Sequence, residues 1–77
     1  MCIAVPGKIL ALENNYATVF IMGIETKVNI QLIENIKVGE YVLIHGGCAI
    51  EKIREEYFNY LSSFYKELLE KENITKG

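Results

Sequence analysis

Cys2, directly after Met1, is the residue best placed to do chemistry in this chain. Its small side chain favours removal of Met1 by an aminopeptidase, which leaves a free α-amine and a thiol on adjacent carbons. Unperturbed, such groups titrate at about 7.7–8.0 and about 8.5, so both lose protons readily near neutral pH. An amine–thiolate pair can close a chelate ring on a metal, and the thiolate alone can act as a soft ligand or nucleophile. The plainer alternative is a small residue near a frayed end. A free thiol there oxidises easily, however, which makes cysteine a poor choice unless its reactivity is used. Behind it, Ile3-Ala4-Val5 is apolar, Pro6 fixes its own φ and biases Val5 towards an extended backbone, and Gly7 permits a turn. Residues 3–7 therefore read as a short, stiff arm laid against a surface and turning at Gly7 into the body.

His45 and Cys48 are the other candidates. His45 is the only histidine and ends a strand-like run just before Gly46-Gly47. Its imidazole can offer a borderline ligand or hold a thiolate in place. It can equally be a half-buried ring whose nitrogens bond to backbone. In one regular strand His45 and Cys48 would face opposite sides, although a bend at the glycines can change that. Cys48 is expected to be a small buried hydrophobe. Glu51, Glu55 and Glu56 read as a solvated helix start. No glycine-rich phosphate loop, paired catalytic carboxylates or serine triad is visible. A nucleophilic Cys2 with His45 as its base lacks a third, orienting group, so the chain is not expected to be an enzyme.

The elements that must position these residues are short. Lys8–Leu12, Tyr16–Ile21, Ile24–Ile30, Tyr41–His45 and Cys48–Ile53 read as strands, the third alternating apolar with polar at period 2. Glu13-Asn14-Asn15 and Met22-Gly23 read as tight turns, and Gln31–Lys37 as an irregular connection with at most one helical turn. From Arg54 the period becomes helical. Phe58, Leu61, Tyr65, Leu68 and Leu69 form one stripe, with Tyr57 and Phe64 beside it, and Asn73 marks a stop. Tyr60 lies off the stripe and can meet a partner. Five strands too few for a sandwich predict a mainly β fold: a small OB-like barrel over about residues 1–53, its outer face covered by a C-terminal helix over about 54–72.

Seventy-seven residues, 51% of them hydrophobic, make one domain near the lower limit for a self-sufficient core. No apolar run approaches the roughly 20 residues of a membrane span, so no membrane association and a cytoplasmic location are expected. Eight basic residues against ten acidic ones give a net charge of −2, and the basic ones are scattered. Counterion release demands clustered positive charge, so nucleic acid is not an expected partner. Two cysteines forty-six positions apart form no CxxC pair, and a reducing compartment keeps them as thiols.

Met1-Cys2-Ile3-Ala4-Val5-Pro6-Gly7-Lys8-Ile9 resembles the opening of the HypC/HupF family, accessory proteins of nickel–iron hydrogenase maturation. The block Val42–Ile53, with His45, Ala49-Ile50 and Lys52, is similar to a second stretch of that family. It departs at Gly46 and Cys48, where family members carry larger apolar residues. The resemblance covers nearly the whole chain and implies a compact β-barrel with a helical C-terminal segment. It implies a metallochaperone that, with an iron–sulfur partner called HypD, holds iron while cyanide and carbon monoxide ligands are built onto it. The decorated iron then passes to the hydrogenase large-subunit precursor. In this chain the implied iron ligands are Cys2 and His45, the latter as ligand or as support. The implied partner-binding segment is Cys2, Ile3, Val5, Pro6 and Gly7. The competing reading is an OB-like module for single-stranded nucleic acid, with Tyr16, Phe20 and Tyr41 as stacking residues.

Overall fold

Small aliphatic side chains at alternate positions build the core of this molecule. The computed structural model describes the backbone of residues 4–76 and the side chains of residues 4–67. In chain order the elements are β1 (Val5–Glu13), β2 (Tyr16–Ile21), β3 (Ile24–Asn29), β4 (Tyr41–His45), β5 (Cys48–Ile53) and α1 (Glu55–Lys76). Ala17 and Val19, Val28 and Ile30, and Val42 and Ile44 each point inward from one strand or its end. They meet Ile9 and Ala49, and no polar side chain among the described residues is buried with them.

The strands close into a barrel in the order β1-β2-β3-β5-β4, as the OB-like expectation requires. Closure depends on β1 serving two neighbours. Val5–Lys8 pairs antiparallel with β4, and Lys8–Glu13 pairs antiparallel with β2. An irregularity between Ile9 and Ala11 lets the strand bend between these duties. The amide of Ile9 donates to Glu40 O (2.8 Å) and its carbonyl accepts from Gly39 N (2.8 Å), which continues the β1 seam past the start of β4. The segment between β3 and β4 is irregular, with Ile33 and Ile36 half-buried against the core and Leu32 exposed.

Two expectations need correction. Val5-Pro6-Gly7 is not an arm but the first third of β1. Pro6 is fully buried, and Gly7 has no left-handed φ and makes no turn. Its role is space, because a Cβ built there lies 2.6 Å from Ile44 Cδ1 and 3.2 Å from Ile21 Cγ1. The helix also passes Asn73 and runs to Lys76, since asparagine is a weak helix former and not a breaker. The described members of the helical stripe do lie against the barrel. Phe58, Leu61 and Tyr65 are half-buried, while Tyr57 and Phe64 stay exposed. The side chains of Leu68 and Leu69 lie outside the described residues.

Phe58 packs on Tyr41 of β4 at 4.3 Å between ring centroids, and the ammonium of Lys8 on β1 lies 5.9 Å from the centroid of the Tyr41 ring. Among the described residues, no helix is long and apolar enough to cross a membrane.

Gly7→Ala should lower the unfolding free energy by about 1–3 kcal/mol through overpacking at Ile44. Urea titration of Gly7→Ala, Ile44→Val and the double variant checks this. The double variant should lose less than the sum of the singles, because Ile44→Val removes the atom that clashes.

Candidate functional site

The β4–β5 hairpin is the part of the fold that brings chemically capable side chains together. Gly46 and Gly47 have φ of 60° and 79°, both left-handed, the combination of a two-residue type I′ turn. Such a turn makes its flanking residues direct cross-strand partners, and His45 is indeed paired with Cys48. Cross-strand partners share a face. Ile44 and Ala49, one step inward, are both buried, so His45 and Cys48 face outward.

This corrects the expectation for Cys48. It is a free, half-exposed thiol on the same side as His45, not a buried hydrophobe. His45 is exposed, and neither side chain makes a side-chain hydrogen bond to another described residue. The arrangement in which backbone holds the ring nitrogens is therefore not the one found. The hairpin is fixed to the barrel by Asn29, whose amide donates to Gly47 O at 2.9 Å and whose Cα pairs with Cys48. The Asn29 side chain is occupied with Gln31, accepting from its amide at 2.8 Å and donating to its Oε1 at 3.0 Å.

The second component is the start of β1. Val5 pairs with Ile44 and Pro6 with Leu43, so one further step of the register sets Ala4 opposite His45. The Ala4 carbonyl accepts a hydrogen bond from the Tyr65 hydroxyl at 2.8 Å. That bond ties α1 to the point where the chain enters the barrel. The sequence pattern placed Tyr65 on an apolar stripe without this role. Its signal was a hydroxyl-bearing ring where leucine or phenylalanine would pack equally well.

Of the residues singled out from the sequence, His45 and Cys48 are brought together. Val5 is half-buried against the core, and Pro6 and Gly7 are buried within the seam, so their part is to set the strand. Cys2 and Ile3 lie outside the described residues. Glu51 is exposed on β5, and Glu55 and Glu56 sit exposed in the first turn of α1. No group of three or more His, Cys, Asp or Glu side chains able to hold a metal occurs among the described residues. A cleft of about 420 Å³ between α1 and the β2–β3 hairpin is lined by Phe20, Met22, Phe58, Ser62 and Lys66 and offers no ligating cluster. Of the three aromatics a nucleic-acid surface would use, Tyr41 is taken up by Phe58, whereas Tyr16 and Phe20 remain partly exposed.

The chain is similar over most of its length to proteins of one family. The profile of the HupF/HypC family matches residues 1–64. A protein of Helicobacter hepaticus named hydrogenase maturation factor HypC is 32% identical over 91% of this chain and 84% of its own length. Proteins of the same name from Rhizobium leguminosarum bv. viciae and Escherichia coli K12 are 39% and 38% identical. They cover 73% and 71% of this chain and 76% and 68% of themselves.

Tyr65→Phe should cost about 0.5–1.5 kcal/mol, the usual worth of one hydrogen bond, with the barrel unchanged. Denaturant unfolding with circular dichroism checks it. An unchanged midpoint would mean that the bond to Ala4 does not hold the entry of β1.

Proposed function

The chain belongs to the HupF/HypC family, and on that premise we propose that it is an accessory chaperone of nickel–iron hydrogenase maturation. In this reading it is a metallochaperone and not an enzyme. It holds iron carrying cyanide and carbon monoxide ligands together with a HypD-like iron–sulfur partner. It then contacts the hydrogenase large-subunit precursor and delivers that iron. The iron is cargo, present only in transit.

The Cys2 thiolate is the main iron ligand and partner anchor, and His45 is the second donor or its support. A soft sulfur donor suits iron bearing strong-field ligands. One or two protein donors hold it less firmly than a closed four-ligand cage, which suits a carrier. What supports the reading is the β1–β4 register. Its last pair is Val5 with Ile44, so Ala4 lies one step beyond it, on the side of His45, and two Cα–Cα steps, at most about 7 Å, reach from Ala4 to Cys2. A cysteine on so short a tether can share a ligand set with that histidine. In the same reading Cys2, Ile3 and Val5 meet the partner, while Pro6 and Gly7, buried in the seam, support the segment.

Cys2→Ala should abolish hydrogenase maturation while leaving the circular dichroism spectrum intact. Co-purification with a tagged HypD-type partner, with iron analysis and infrared spectroscopy of bound cyanide and carbon monoxide, follows the cargo directly. Undiminished maturation by the Cys2→Ala variant would remove the proposed role.

A further inference from the structure

We propose that Cys48 is a metal ligand, and that with His45 it forms a thiolate–imidazole chelate on the outer face of the β4–β5 hairpin. The cation it fits is a borderline divalent one such as zinc, cobalt, nickel or ferrous iron. The donor set therefore includes a sulfur from the folded barrel, in addition to any donor from residues 1–3.

The argument begins with the turn. Two left-handed glycines make a two-residue hairpin, and its flanking pair is His45 with Cys48. In such a pair the Cα atoms stand about 5.5 Å apart and the side chains project to one side. Metal–sulfur and metal–nitrogen bonds of about 2.3 and 2.0–2.1 Å place two tetrahedral donors about 3.5 Å apart. Side chains starting from a cross-strand pair converge to that spacing without backbone movement.

The surroundings leave both donors available. His45 is exposed and Cys48 half-exposed, and neither side chain is taken by another described residue. The nearest polar side chain along the pairing, Asn29, is bonded to Gln31. The backbone beneath is held on both strands. Ile44 is paired with Val5 on one side and Ala49 on the other, and Asn29 N bonds Gly47 O across the β3–β5 closure. Donors on a fixed hairpin bind metal without first ordering a loop, which lowers the entropic cost of binding.

The class of metal follows from the donors. A thiolate with an imidazole suits zinc, cobalt, nickel and ferrous iron, and poorly suits magnesium or calcium, which take oxygen ligands. With two protein donors, the other coordination positions remain for cargo ligands, water or a donor from another segment. As a statement about which residues bind, the inference stands on the hairpin alone. As a statement that the bound metal is iron in transit, it rests on the function proposed above.

The test uses the full chain in reducing buffer with Co²⁺ as probe, read by the thiolate-to-cobalt charge-transfer band and by affinity. Cys2→Ser should retain the charge-transfer band, and Cys2→Ser with Cys48→Ser should lose it. In the Cys2→Ser background, His45→Gln should weaken binding by at least about tenfold, as loss of a metal contact does. Loss of the band in Cys2→Ser alone would overturn the proposal. So would a Cys48→Ser variant with the wild-type spectrum and affinity, or a His45→Gln variant that binds undiminished. In the unsubstituted chain, Zn²⁺ should shift the NMR resonances of the His45 ring and the Cys48 Cβ together, independently of how any variant folds. Failure here leaves the maturation reading standing, because that reading is decided by Cys2→Ala in the maturation assay.

Discussion

Closure of the barrel between β1 and β4 is the constraint on which the other features depend. Four residues, Val5 to Lys8, make that seam, and it is tight at Gly7, where an added Cβ would press on Ile44 Cδ1 and crowd Ile21. Because β1 pairs with β4 there, the chain enters the fold alongside the end of β4, at His45. A chain entering elsewhere would leave His45 and Cys48 on the hairpin but separate them from Ala4. The seam thus converts a packing requirement into a placement of chemistry.

The helix reinforces the same seam from outside. Phe58 rests on Tyr41 at one end, with the Lys8 ammonium 5.9 Å from the centroid of that ring, and Tyr65 bonds Ala4 at the other. Seven residues separate Phe58 from Tyr65, about 10 Å of helix at 1.5 Å per residue. Four residues separate Tyr41 from His45, about 13 Å of strand. These lengths match closely enough for α1 to follow β4 along the seam. The polar bond at the far end adds direction that apolar packing alone lacks.

The strands were legible because the core side chains alternate and the turns carry Asn, Gly or Gly-Gly between them. The entry of β1 was not. Pro6 and Gly7 are strong punctuation in isolation, and they read as an arm and a turn. Within the fold, Val5–Gly7 has a ladder partner on the β4 side only, since pairing with β2 begins at Lys8. A strand open on one side tolerates a residue with no N–H to donate. The same kind of tertiary information was needed for Cys48. Spacing of three implies opposite faces in a continuous strand, but two consecutive left-handed residues reverse the chain and restore a common face. Of the candidate site, His45 was legible as the single histidine at a strand end, while the role of Tyr65 depended on a partner sixty-one residues away.

A carrier and a structural metal site make opposite demands on coordination. Structural sites close the shell with four protein donors, and the metal then contributes to folding and stays. Here the core is aliphatic, and the described residues contain no cluster of three ligands. The donors it does present are a cross-strand pair on an outward face, with open space on the solvent side. An open shell permits exchange: an incoming donor binds before an outgoing one leaves, so the metal need never be released into water. On the function proposed above, a rigid seat beneath a shell filled only in part would suit the handing of a metal from one protein to another.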